Sequence, residues 1–355
     1  MFCSLAIPRY RCYSLGHMPM RRRARSLLLL LLIMTTTQSE GKLLVLGPVS
    51  SRFLGGSRMV RVYLPPSYDT EPTTRYPVLY LHDGQNVFSS AGPDCCFGWG
   101  NWELDHTADR LVEEGRMREI IMVAVDNSRS RYREYRGHLY PKPDAPRRSS
   151  RTSSSTATAT TNDLDNARFD AYAEFLIKEL KPRIDREFRT LDGASATGVM
   201  GSSMGGICSL ALAWEHPKNF GMAASLSGAF QVEKTNFLRH GLAPYRGKRK
   251  PIRFYLDSGV VDYTGDDDGR KQTDAVAAEL RRIGWEDGLT LQHFTDLHPL
   301  NDAELAQTGL PQHKWGEART SQHNEFYWRL RAWRALTFLF PAEPPAVNRF
   351  QRSKK

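Results

Sequence analysis

From Gly41 onward the chain alternates short runs of β-branched and other apolar residues with longer stretches whose apolar positions recur at helical spacing. The short runs predict strands at residues 59–64, 77–81, 120–125, 197–200, 222–226, 252–256 and 289–294. Helices are predicted between and after them, at 104–114, 170–188, 205–215, 274–283 and 325–340. Within 170–188, Tyr172, Phe175, Leu176, Leu180 and Ile184 share one face, which predicts a stripe turned toward a core. Strands and helices in alternation predict an α/β fold with a mostly parallel central sheet and helices on both faces. Residues 141–162 break the pattern: they are rich in Pro, Arg, Ser, Thr and Ala and have no hydrophobic period. Strands of the same kind continue on both sides, so this stretch reads as a loop insertion within a single domain at 41–341.

The chain has 355 residues, 40% hydrophobic and 25% charged, enough for a substantial core and unlike a disordered or collagen-like composition. The formal net charge of +10 raises the question of nucleic acid. Its location answers it. Residues 1–40 carry Arg9, Arg11, Arg21, Arg22, Arg23 and Arg25, and the tail at 342–355 carries Arg349, Arg352, Lys354 and Lys355. Between them the chain is close to neutral, without the basic stripe that phosphate contacts require, so no nucleic-acid partner is expected. The leader runs basic, apolar, polar, which predicts a secretory signal and a secreted or periplasmic enzyme. Its apolar run, 27–34, falls far short of the roughly 20 residues of a membrane-spanning helix, so no membrane span is expected in the mature chain. Five cysteines, two of them in the leader, make no disulfide scaffold and no Cys-x-x-Cys metal site, and Cys208 reads as a buried small hydrophobe.

The chemistry is concentrated at Gly201-Ser202-Ser203-Met204-Gly205, a Gly-x-Ser-x-Gly pattern between an apolar strand and a helical run. That context makes a nucleophile elbow, with Ser203 exposed on a sharp strand-to-helix turn. A serine hydroxyl needs a base, and the base needs an orienting carboxylate, in the chain order serine, acid, histidine. His323, just before the last predicted helix, is the candidate base. For the acid, Asp262 lies beyond the C-terminal end of the strand at 252–256, where open α/β sheets place their sites. Asp266, Asp267 and Asp268 are its rivals, and Asp257 reads as a strand-end structural residue. Two N–H groups must face the developing oxyanion. Met204 follows the nucleophile, and Gln85 lies in the Gly-containing turn after the strand at 77–81. His82 and Asp83 are adjacent on a strand and point to opposite faces, so neither a metal site nor a cofactor is expected.

These motifs, with Arg61 to Pro66, 76–86 (YPVLYLHDGQN), Trp102, Asp105, Asn127, Arg131, Glu134, Tyr135, Lys181-Pro182, His216-Pro217, 226–228 (LSG) and His323-Asn324-Glu325 with Trp328, resemble an esterase family of α/β-hydrolases. That family includes esterase D, carbohydrate esterase family 1 feruloyl and acetylxylan esterases, enterochelin esterases and mycolyltransferases. The resemblance spans about residues 57–341. It implies the α/β-hydrolase fold and a Ser203, Asp, His323 triad with the acid between 262 and 268, and it places Trp102 and Tyr135 in the substrate cleft. The implied activity is hydrolysis of a carboxylic ester, of a small molecule or of a carbohydrate- or siderophore-linked acyl group. The alternatives are acyl transfer to a sugar hydroxyl and a non-catalytic binding protein on the same scaffold.

Overall fold

The computed structural model describes residues 40–141 and 161–342. Eight strands form one sheet: β1 (Lys42–Ser51), β2 (Gly56–Leu64), β3 (Val78–Leu81), β4 (Ile121–Val125), β5 (Thr197–Ser202), β6 (Met222–Leu226), β7 (Arg253–Ser258) and β8 (Leu291–Thr295). Their order is β1-β2-β4-β3-β5-β6-β7-β8. The pairs β1/β2 and β2/β4 are antiparallel, and every pair from β4/β3 to β7/β8 is parallel. The seven predicted strands are all present, with ends shifted by at most three residues. β1 was not predicted. It is an edge strand, half exposed, with a register shift between Val45 and Gly47 and a Gly47-Pro48 pair that hides its alternation.

The principal helices are α1 (Leu104–Glu113), α2 (Arg131–Tyr135), α3 (Thr161–Glu174), α4 (Lys181–Glu187), α5 (Met204–Glu215), α6 (Arg270–Ile283) and α7 (Glu325–Leu339). A π-helical stretch, Phe175–Leu180, joins α3 to α4, and the predicted stripe of Tyr172, Phe175, Leu176, Leu180 and Ile184 is buried throughout. Successive residues of a strand face opposite sides. Along β4, Ile121, Val123 and Val125 therefore join one core, while Met122 and Ala124 join another. The first core is closed by α3, α4, α5 and α6; the second by α1 and α7. Each large apolar side chain so buried contributes about 1.5–3 kcal/mol. The sheet is thus covered on both faces, and chemistry is left to the loops beyond the C-terminal ends of its parallel strands. No helix among the described residues is long and apolar enough to cross a membrane. The leader, residues 142–160 of the insertion and the basic tail from 343 lie outside the described residues.

Candidate active site

β5 ends at Ser202, and α5 begins at Met204, leaving Ser203 alone on the turn with φ 52° and ψ −119°. A non-glycine residue tolerates this only when its surroundings hold it there. Ser203 donates its N–H to Leu226 O at 2.9 Å, and its carbonyl accepts from Ala229 N at 2.9 Å. The turn is so tight that a Cβ on Gly201 would lie 2.7 Å from the Gly205 carbonyl carbon. Glycine is required there for space, at a φ that other residues could adopt.

Nε2 of His323 lies 2.9 Å from Ser203 Oγ, and its Nδ1 lies 2.6 Å from Oδ1 of Asp268. An ionised carboxylate only accepts, so Nδ1 carries the proton and Nε2 offers its lone pair to the serine hydroxyl. His323 is fixed from below by its own N–H on Ser321 Oγ, 3.2 Å, and is flanked edge-on by the Trp328 ring at 5.1 Å. The next residue, Asn324, caps α7 by accepting from Tyr327 N.

The carboxylate facing His323 belongs to Asp268, not to the expected Asp262. Asp262 is turned back on its own loop, where Oδ1 accepts from Thr264 N at 2.7 Å and from Asp266 N at 3.2 Å. Asp266 bonds Thr264 Oγ1, and Asp267 accepts from Lys271 N in the first turn of α6. Asp268 is fully buried, and its Oδ2 accepts from Gly259 N, so the far end of the loop returns to the end of β7. Asp257 is also buried, beside Arg331 at 3.4 Å. Burial pushes its carboxyl up to about 6, against the pull of Arg331. Burial opposes the charge on Arg331 itself, but Asp257, Asp268 and Asp296 together hold its pKa above the ordinary value.

Met204 is the first residue of α5, where a backbone N–H has no intrahelical acceptor. Gln85 lies in a single 3₁₀ turn, Gly84–Asn86, between Asp83 and Asn86, both of which line the cleft over Ser203. Its side-chain oxygen accepts from Asn127 N at 3.2 Å. The cleft measures about 540 Å³, and its walls include Phe97, Trp99, Trp102, Tyr263 and Trp328. Trp102 reaches this wall from the core, where it is buried against Trp328 with ring centroids 5.9 Å apart. Tyr135 does not: it is buried in the core against His82 and Tyr172, at 5.1 and 5.2 Å, because α2 turns that face toward α3 and the sheet. Phe97, 95% exposed, and Tyr263, 76% exposed, were missed by sequence reasoning; the available signal was an aromatic residue in each of two polar, glycine-containing loops.

The cleft's polar wall is an ion pair. Arg131 donates from Nε and Nη2 to the two oxygens of Asp83, at 2.6 and 2.7 Å, and Asn127 Nδ2 adds a third bond at 2.6 Å. Such a two-pronged pair is rigid. Glu325, on the same rim, has its carboxyl pushed up by burial and accepts from Asn86 Nδ2 at 3.3 Å. A second groove of about 820 Å³ shares Trp99 with the cleft and extends along α1 and α7.

The strand order, the elbow after β5 and the histidine before the last helix define an α/β-hydrolase. Residues 51–331 match the model of the family described as "Putative esterase", and the chain belongs to that family. The uncharacterized protein YbbA of Bacillus subtilis (strain 168) is 24% identical over 183 residues, a match that spans 52% of this chain and 61% of that relative's length. Among solved structures, a ferulic acid esterase superposes with a TM-score of 0.56 at 16% identity, over 85% of this chain and 98% of its own. The enterobactin esterase FES of Shigella flexneri gives a TM-score of 0.54 at 16% identity, over 84% of this chain and 59% of its own. Ferric enterobactin esterase of Salmonella typhimurium gives 0.53 at 18% identity, over 84% and 58%. At these identities the likeness is one of fold.

Proposed function

We propose that this chain is a serine carboxylesterase working through an acyl-enzyme on Ser203. The observation that carries the reading is the continuous line from Asp268 through His323 to Ser203, 2.6 and 2.9 Å, at the floor of a cleft. Ser203 Oγ attacks the ester carbonyl while His323 Nε2 takes its proton. Asp268 holds the tautomer and the imidazolium that forms. The N–H groups of Met204 and Gln85 receive the oxyanion. His323 then returns the proton to the departing alcohol, and water repeats the sequence to free the acid.

The aromatic walls of the cleft suit an apolar or planar acyl group, and the adjoining groove past Trp99 leaves room for a large alcohol half. The ferulic acid and enterobactin esterases of the same fold favour a carbohydrate- or siderophore-linked ester as the substrate class. The basic and apolar order of the leader favours export.

The test is labelling with a fluorophosphonate, followed by mass spectrometry of the modified peptide. Label on Ser203 in the wild type and none in Ser203→Ala is expected. Folded wild-type protein that resists the probe would sink the esterase reading and leave a binding role.

A further inference from the structure

The two oxygens of Asp268 are served differently. Oδ1 faces His323, while Oδ2 accepts from the Ser227 hydroxyl at 2.7 Å and from Gly259 N. The Ser227 oxygen is itself reached by Nε1 of Trp328 at 3.0 Å and by Nη2 of Arg331 at 2.6 Å. An indole N–H and a guanidinium N–H can only donate, whereas a hydroxyl has one proton and two lone pairs. Both lone pairs of Ser227 are therefore taken. Its single proton is left with one acceptor, Oδ2 of Asp268.

The same turn grips the nucleophile. Leu226 O accepts from Ser203 N, and Ala229 N donates to Ser203 O, both at 2.9 Å. Ser227, held at φ 45° with its own N–H on Asp257 O at 2.9 Å, presents its hydroxyl to the acid from the residue next to Leu226.

We propose that Ser227 is a positioning residue: its hydroxyl is a fixed one-way donor that holds Oδ2 of Asp268 and directs Oδ1 at His323, and the turn 226–229 sets the register of acid against nucleophile. The proposal rests on the esterase reading above. A hydrogen bond is electrostatically stronger in a buried site than in water, so a buried donor holds the carboxylate oxygen it serves firmly in place. The charged and titratable groups around the acid are His323, with Tyr263 beside its ring; Arg331 on α7 at 3.8 Å; and, across Arg331, Asp257 at the end of β7 and Asp296 after β8. Arg334 pairs with Asp296 on its outer side, 3.3 Å. Removing the Ser227 hydroxyl takes its donor from Asp268 and an acceptor from Arg331 and Trp328, while the ion pairs of Arg331 with Asp257 and Asp296 do not involve it.

Ser227→Ala, Asp268→Asn and the double variant are made in the full chain and assayed on para-nitrophenyl acetate, with kcat and KM measured separately. Active-site titration with the fluorophosphonate counts competent molecules, so that misfolded protein does not enter kcat. Ser227→Gly, suited to the left-handed backbone, is the second variant if the alanine protein does not accumulate. Loss of one hydrogen bond to a charged group predicts a kcat about 10- to 100-fold lower, with KM changed less than about twofold. In the Asp268→Asn background, removing the hydroxyl costs nothing further. Additive losses in the double variant, or a loss carried by KM rather than kcat, would overturn the proposal and leave Ser227 a packing residue. Wild-type protein that neither labels nor hydrolyses would instead overturn the esterase reading, and this proposal with it.

Discussion

Asp268 occupies a left-handed conformation, φ 55°, which the short polar side chain of an aspartate tolerates better than most. Its partners make its replacement informative. Asp268→Asn is expected to lower kcat by about three to four orders of magnitude, because an amide no longer fixes the His323 tautomer. Asp262→Asn, in an exposed turn, is expected to stay within about twofold of wild type. Rates per titrated site on one ester separate the two; equal losses would return the acid to Asp262. Ser203 and His323 were legible because their constraints are local, a glycine-flanked turn in one case and the approach to a capped helix in the other. The acid was not. Asp262, Asp266, Asp267 and Asp268 have similar neighbours in sequence, and the choice among them is made by Gly259 and Ser227, contacts across 9 and 41 positions. Tyr135 misled for a related reason, since an aromatic residue beside a cleft and one beneath it read alike.

Elements buried on both faces were the legible ones. β3, β4, β5 and β6 are buried over their whole length because α/β packing covers both of their sides. Edge strand β1 lacks a clean alternation, the short turns of helix at Val232–Asn236, Asp302–Leu305 and Trp315–Thr320 lack length, and tertiary contacts decide them. The β5–α5 junction is where an element and the chemistry meet. Gly201→Ala would press a methyl carbon against the backbone of Gly205, 2.7 Å away, which cannot retreat without moving α5. The expected cost is about 1–3 kcal/mol, read as a lower melting temperature, together with slower labelling of Ser203 as the turn opens. An unchanged melting temperature and labelling rate would show that the elbow has slack its geometry does not suggest.

Across the whole molecule, two buried groups pull the acid response in opposite directions. Asp257 is raised to about 6 in the fold from an ordinary value of about 3.9, so its protonated form is preferred. Its contribution is fully present below about pH 4 and is lost as pH rises through about 6. His82, bonded to Tyr172 at 2.9 Å, is pushed down to about 4 by burial. Its contribution is present above about pH 6.5 and is lost as pH falls through about 4. Melting temperatures measured from pH 4 to 7 should show Asp257→Asn losing ground to wild type as the solution is acidified, and His82→Gln gaining it. Parallel curves for all three proteins would refute both assignments. The loop that ends at Asp268 has a different consequence for the molecule's history. Because Gly259 and Asp268 are tied together at its base, the chain between them is a closed loop whose length hardly enters the position of the acid. Doubling such a loop costs only about 0.6 kcal/mol in closure entropy. Insertions at its tip can therefore accumulate, carrying Tyr263 across the mouth of the cleft and changing which esters enter, while the reacting atoms stay where they are.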